Sequence, residues 1–170
     1  QPDLTLEEAQ VAKLDYVCRK LRLRPGESVV EAGCGWGALA LHMARQYGVR
    51  VKAFNLSREQ LAYARKQEGL TVSLSDFITE PFAGAPYDRL YSIGALEHVR
   101  PPELESLYQK MYDALTPGGL AVHQFFSYGS DPCPISVAVL ELFFPGSMLS
   151  VHRSHVEAAE AAGFRVAHDS

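Results

Sequence analysis

The spacing of apolar positions changes along the chain, and each change marks an element. Val11, Leu14, Val17, Cys18 and Leu21 recur three and four residues apart, which predicts a helix buried on one side. Thr5 and Glu8 supply its capping box, and Arg24-Pro25-Gly26 ends it. Residues 28–32 are a short apolar run and predict a buried strand. Helical spacing returns over 38–47, with Gly48 as the stop, and the next strand is expected at 49–54. Ser57 caps a third helix, with Gln60 closing a second capping box and Leu56 and Leu61 placed as a hydrophobic staple. Strands follow at 70–74 and 87–93. Leu104, Leu107, Tyr108, Met111 and Leu115 form the clearest amphipathic helix, which Thr116-Pro117-Gly118-Gly119 breaks. A fifth strand is expected at 120–126. Residues 127–148 carry no readable period. Residues 150–162 predict a helix stopped by Gly163, and 164–167 predict a sixth strand.

Strands alternating with helices predict an α/β fold, a mostly parallel twisted sheet with helices on both faces. Ligands of such sheets bind outside the carboxyl ends of the strands. The loops after the first five strands are therefore where chemistry is expected.

Composition narrows the class. The 170 residues suit one domain, and 47% hydrophobic with 21% charged residues is ordinary for a soluble globular protein. With 16 basic and 20 acidic residues, the net charge of −4 argues against broad nucleic-acid binding and against a polybasic membrane anchor. No apolar run reaches the ~18 residues of a membrane span. Cys18, Cys34 and Cys133 form no C-x-x-C pair, so a reducing cytoplasm is the simplest setting. His152 and His155 are three apart on a predicted helix, but no further metal ligand is evident and they read as surface residues. Arg19, Lys20, Arg22 and Arg24 read as a solvated helix end.

The strand at 28–32 runs into Gly33-Cys34-Gly35-Trp36-Gly37 and then a helix. Strand, glycine loop and helix together are a nucleotide-binding arrangement, because glycine lets the backbone turn sharply and approach a ligand. The spacing is neither G-x-G-x-x-G nor a Walker A loop. Glu31, just before the loop, would repel a pyrophosphate but attract an ammonium group. That combination fits an adenosine with a cationic amino-acid tail, S-adenosylmethionine.

In this order, GCGWG (33–37), NLSREQ (55–60), SIGALEHV (92–99), LTPGGLAVHQF (115–125) and FFPGSMLS (143–150) resemble the class I S-adenosylmethionine-dependent methyltransferases. Among these, the chain is similar to the cyclopropane-fatty-acyl-phospholipid synthase and mycolic acid cyclopropane synthase family. The resemblance implies the Rossmann-like class I methyltransferase fold. It implies a cofactor site built from Glu31, Gly33, Cys34, Gly35, Trp36 and Gly37. Asn55 and Gln60 would face the ribose hydroxyls, with Leu56 beside the sugar, although Gln60 also suits a plain cap. Asp76 would accept from the adenine amine and Phe77 would cover a ring face, with a turn cap as the alternative for Asp76. Trp36 suits either the cofactor loop or an anchor for the turn, and Cys34 reads as a small packing residue with a place on the loop.

The resemblance also implies a chemical centre. Glu97, His123 and the Ile93 backbone match the family residues that hold a bicarbonate ion, the general base. An alkene attacks the sulfonium methyl, a carbocation forms, and loss of a proton closes a ring. Phe125, Phe126, Phe143 and Phe144 are candidates for steadying the cation. Leu96, Arg100 and Asn55 depart from residues common in the family, and the interval from Gln60 to Asp76 is short for it. A further cysteine ligand upstream, a tyrosine downstream and part of the lid belong to the family pattern. Residues 1–170 are thus expected to be a single methyltransferase domain lacking N-terminal and C-terminal segments of the full protein.

The expected reaction is methyl or methylene transfer to the double bond of an unsaturated lipid acyl chain, in the cytoplasm or peripheral to a membrane, with transient membrane-surface contact. Two alternatives stand beside it. One is N- or C-methylation of a hydrophobic small molecule, with Glu97 and His98 or His123 orienting an amine. The other is a non-catalytic cofactor-binding module.

Overall fold

The computed structural model describes residues 4–67, 70–129 and 149–167, with 137, 138 and 142 between them. Five helices and five strands are named here: α1 (Leu6–Leu21), β1 (Ser28–Ala32), α2 (Ala38–Tyr47), β2 (Arg50–Asn55), α3 (Arg58–Ala64), β3 (Leu70–Leu74), β4 (Tyr87–Ile93), α4 (Leu104–Asp113), β5 (Leu115–Gln124) and α5 (His152–Ala161). The strands form one sheet in the order β3-β2-β1-β4-β5, and every pairing is parallel. The chain builds outward from β1 first to one side and then to the other. A crevice therefore opens at the carboxyl ends of β1 and β4.

Alternation along β1 sends successive side chains to opposite faces. Val30 and Ala32 join Phe54 and Leu90 under α4 and α5, where Leu104, Leu107, Met111 and Ala158 close the core. Val29, Val51 and Tyr91 meet Cys18 and Leu21 of α1 and Leu39 and Met43 of α2. Ala53 and Val72 lie under Leu61 and Ala64 of α3. Helices thus cover both faces, as the pattern predicts.

Several boundaries differ from the sequence expectation for local reasons. Helix α1 has the Thr5–Glu8 capping box but stops at Leu21, because Arg22 turns left-handed at φ 51°. The freed Leu21 carbonyl accepts from Arg89 Nε at 2.7 Å, and Arg89 Nη2 pairs with Glu27 at 2.7 Å. Strand β2 is shifted by one residue, to end at Asn55. Strand β5 begins at Leu115 rather than 120, since the Pro117-Gly118-Gly119 segment lies inside it as a register shift opposite Tyr87 and Arg89. An edge strand tolerates such an irregularity. It ends at Gln124 because the Phe126 N–H turns to the Glu97 carboxylate, 3.1 Å away.

The expected sixth strand at 164–167 does not form. The chain there leaves α5 without sheet pairing, and Phe164 stands edge-on to Tyr112 and Tyr108, with centroids 5.2 and 6.5 Å apart. Burying that ring against α4 replaces the strand.

His155 is not a surface residue. It is 3% exposed, with Nδ1 3.2 Å from the Tyr108 hydroxyl and its ring 4.1 Å from that of Phe125. His152 also lies over Phe125, at 6.4 Å. Helix α5 docks on α4 and on the chain leaving β5, which a single helix period does not reveal.

Burial holds the pKa values of His155 and His123 down to about 4, against an ordinary 6.5. Unfolding lets each bind a proton in that interval. Their contribution to stability is complete above pH 6.5 and is lost as pH falls from 6.5 toward 4. His155→Gln keeps an acceptor for Tyr108 and removes one titration. Urea denaturation between pH 6.5 and 5 is expected to show a slope shallower by up to about 1.4 kcal/mol per pH unit than in the parent.

Candidate active site

The loop after β1 uses its glycines for different ends. Gly33, at φ 86°, lies so close to Ala95 that an added Cβ would stand 2.6 Å from the alanine methyl, so the loops after β1 and β4 meet only over a hydrogen atom. An added Cβ on Gly35, at φ 52°, meets nothing within 4 Å, since this residue faces open space. Gly37 sits against Leu70 and Ala64 and serves packing.

Asn55, at the end of β2, braces this loop. Its Nδ2 donates to the Gly35 carbonyl at 2.8 Å and to Gln60 Oε1 at 3.0 Å, while its Oδ1 accepts the Ser57 N–H at 2.9 Å. Ser57 Oγ accepts the Gln60 N–H, but the Gln60 side chain turns to Asn55, so the expected reciprocal capping box is only half formed. Leu56 is 63% exposed and makes no staple over Leu61.

These loops surround a cleft of about 540 Å³. Of the residues anticipated from sequence, Glu31, Gly33, Cys34, Gly35, Trp36, Asn55, Leu56, Gln60, Phe77 and Ile93 line it. Gly37, Asp76, Glu97 and His123 do not. The cleft also takes Lys13, Leu14 and Val17 from α1, Ser75 after β3, and Gly94, Ala95 and His98 after β4. The helical period identifies the buried side of α1 but not its neighbour. Nothing in the pattern distinguishes Ser75.

Trp36 is 56% exposed and stands edge-on to Tyr63 at 5.5 Å, so it belongs to the rim rather than the core. Burial and the nearby Glu31 push the Cys34 thiol up to about 12, which makes it an inert packing group. Asp76 caps its own turn through the Ile78 N–H at 2.9 Å, and the turn presents Phe77 to the cleft. Lys110 of α4 fixes that turn by donating to the carbonyls of Phe77, Ile78 and Glu80 at 2.5, 2.7 and 2.8 Å. Glu31 lies at the floor, 3% exposed, and desolvation raises its carboxyl to about 8.

At the edge of β4 and β5, His123 pairs in register with Ser92, and Gln124 with Ile93. Glu97, on the short turn Leu96–His98, reaches past them to Phe126. Glu97 Oε2 and both His123 ring nitrogens are buried with no hydrogen-bond partner, as are the Tyr128 hydroxyl and Ser150 Oγ. Unsatisfied buried polar atoms are costly, so such a group points to a polar guest. The His123 ring meets the Tyr108 ring edge-on at 5.8 Å. Phe125 is spent against His155, and Phe126 is 70% exposed. Phe143, Phe144 and Cys133 lie outside the described residues. Among the described residues no group of three His, Cys, Asp or Glu could hold a metal ion.

Comparison with known proteins shows which family the chain resembles. The profile of the family described as mycolic acid cyclopropane synthetase matches residues 1–170. A probable fatty acid methyltransferase of Pseudomonas putida is 41% identical over 130 residues, 72% of this chain and 33% of that protein. The cyclopropane-fatty-acyl-phospholipid synthase of Escherichia coli K12 is 34% identical over 160 residues, 91% of this chain and 41% of the synthase. The chain thus spans less than half the length of these two relatives. The crystal structure of mycolic acid cyclopropane synthase CmaA1, complexed with SAH and CTAB, superposes with a TM-score of 0.82 at 28% identity, covering 99% of this chain and 65% of that one.

The two glycines predict opposite phenotypes. Gly33→Ala is expected to destabilise the fold by about 2 kcal/mol or more, seen as a lowered Tm, because the added methyl meets Ala95. Gly35→Ala is expected to cost only about 1 kcal/mol of backbone strain yet to weaken S-adenosylhomocysteine binding at least tenfold. Fluorescence of Trp36, the sole tryptophan, reads that binding directly.

Proposed function

The chain belongs to the mycolic acid cyclopropane synthetase family, and we propose that it forms the single S-adenosylmethionine-binding domain of an enzyme that methylates the double bond of an unsaturated lipid acyl chain. The observation that carries this reading is the junction at Ile93. Ile93 lines the glycine-loop cleft, follows Ser92, the register partner of His123, and stands four residues before Glu97. The side chains of Glu97 and His123 both hold buried, unsatisfied polar atoms.

The cofactor fits the cleft in one direction. Glu31 at the floor suits the ammonium end, and Gln60, held by Asn55, suits the ribose with Leu56 beside it. Phe77 offers a face to adenine, and Asp76 serves by shaping the turn that presents it. S-adenosylmethionine supplies an electrophilic methyl group, and a bicarbonate-type anion supplies the general base. Glu97, His123 and the Ile93 backbone are the groups that would hold that anion, since the orphaned atoms of Glu97 and His123 offer it both acceptors and donors. His123, with its pKa near 4, is neutral around pH 7. It can therefore donate a hydrogen bond without adding positive charge beside a developing carbocation. Glu97 is fixed for this task by the Phe126 N–H. Leu14, Val17 and Ile93, which share one apolar cluster, give the cleft an apolar wall that suits an acyl chain.

Exposed Trp36 and Leu56 on the rim support transient contact with a membrane surface, with the protein otherwise cytoplasmic. No described helix is long and apolar enough to cross a membrane. His98, which lines the cleft, favours a second reading in which the acceptor is the amine of a hydrophobic small molecule.

Incubation of the protein with S-adenosylmethionine and vesicles of unsaturated phospholipid is expected to yield lipids heavier by one CH₂, detected by mass spectrometry. Depleting bicarbonate should slow this reaction and leave an amine methylation unaffected. Glu97→Gln is expected to lower turnover by about 10²-fold or more while S-adenosylhomocysteine affinity stays within about threefold. Unchanged turnover in that variant would remove Glu97 from the mechanism. Cofactor binding with no transfer to lipid or amine would identify a non-catalytic module.

A further inference from the structure

We propose that capture of the cofactor's ammonium group at Glu31 expels a proton from the protein, and that Tyr91 is the positioning residue that sets this exchange. The inference rests on the S-adenosylmethionine reading given above.

Glu31 occupies the central strand, in register with Ala53 of β2 on one side and Tyr91 of β4 on the other. Its side chain and that of Tyr91 point to the face covered by α1 and α2, where Tyr91 is wholly buried among Val17, Leu39 and Met43. Glu31 also lines the cleft. The Tyr91 hydroxyl lies near enough to the carboxyl to favour its charge somewhat, yet neither it nor Glu31 Oε2 makes a hydrogen bond.

The other titratable groups around the pair do not neutralise a carboxylate. Cys34 on the adjoining loop and Cys18 on α1 are thiols held neutral by burial. Lys13 of α1 and His98 line the same cleft, and no ion pair joins either to Glu31. Helix α2 contributes Leu39 and Met43, and β2 contributes Ala53, all apolar. A carboxyl so placed holds its proton, which is why its pKa stands at about 8.

An arriving ammonium group reverses the balance, because opposite charges attract strongly once water is excluded. The O–H bond of Glu31 breaks and the proton passes to solvent. The carboxylate accepts hydrogen bonds from the ligand's ammonium, which keeps its own three protons. Charge is conserved: a neutral acid and a cation become an ion pair and a free proton. Affinity for an amino-acid-bearing ligand must then rise with pH, about tenfold per unit, until Glu31 is ionised in the free protein. Ligands with the adenosine part alone should show no such dependence.

Isothermal titration calorimetry of the protein with S-adenosylhomocysteine, in buffers of different ionisation enthalpy, reads the proton directly. Close to one proton released per ligand is expected at pH 7, and the release is expected to vanish as pH rises through about 8. Methylthioadenosine, which lacks the amino-acid tail, should release none at any pH. Glu31→Gln is expected to abolish the release and weaken S-adenosylhomocysteine about tenfold or more while sparing methylthioadenosine. This variant should fold. A raised carboxyl pKa stabilises the parent only below its unfolded value, and that stability is lost as pH rises through about 8. The amide is therefore at least as stable as the parent at pH 8.5 in a thermal melt. Tyr91→Phe should keep the release but move the pH midpoint of affinity upward, which a merely structural loss would not do. Binding of S-adenosylhomocysteine without buffer-dependent heat at pH 7 would overturn the inference alone. No binding at any pH would overturn the cofactor reading and this inference with it.

Discussion

One primary amide holds the site together. Asn55 spends its side chain on the carbonyl of Gly35, the side chain of Gln60 and the N–H of Ser57, so the loops after β1 and β2 are fixed to each other rather than each to itself. The residue is buried, so these bonds are made where water cannot replace them and breaking one leaves an unsatisfied group. The glycine loop can then stay open toward the cleft at Gly35 while being closed against Ala95 at Gly33. Helix α3 starts at Arg58, directly after the Ser57 N–H that this brace holds.

Burial produces two opposite electrostatic results in this small volume. It raises the acid Glu31 and lowers the base His123, and both end neutral near pH 7. Two of the polar side chains at the cleft and its neighbouring centre thus carry no charge near pH 7. Such a setting suits a cofactor that is cationic at its amino-acid end and an acceptor that passes through a cationic state, because neither side chain adds a positive charge to oppose them.

Much of the fold was legible because its signals were local. The apolar runs forming β1, β3 and β4, and the Gly48 stop of α2, occupy the residues expected of them. The failures came where a distant partner decided. Thr116 to Gly119 reads as a break, but β4 draws Leu115 into the sheet ahead of it. Phe164 has strand character, but Tyr112 supplies a better surface than the sheet edge. His155 shares its helix with exposed residues and is buried by Tyr108 and Phe125, 47 and 30 positions away in the chain. In the site, the glycines and Glu31 declared themselves through position before a helix. Lys13, Ser75 and Tyr91 did not, because their roles come from neighbours on other elements.

Lys110 grips the turn after β3 through three main-chain carbonyls, with its ammonium also over the ring of Phe82. The three bonds go to the main chain, while Ile78 packs against the core and Glu80 accepts from Ser75 Oγ at 2.8 Å. A change of side chain at position 77 can therefore retune the wall that Phe77 presents, while the main-chain frame that carries it stays in place. A wall residue held through its own backbone is a natural place for directed evolution to begin.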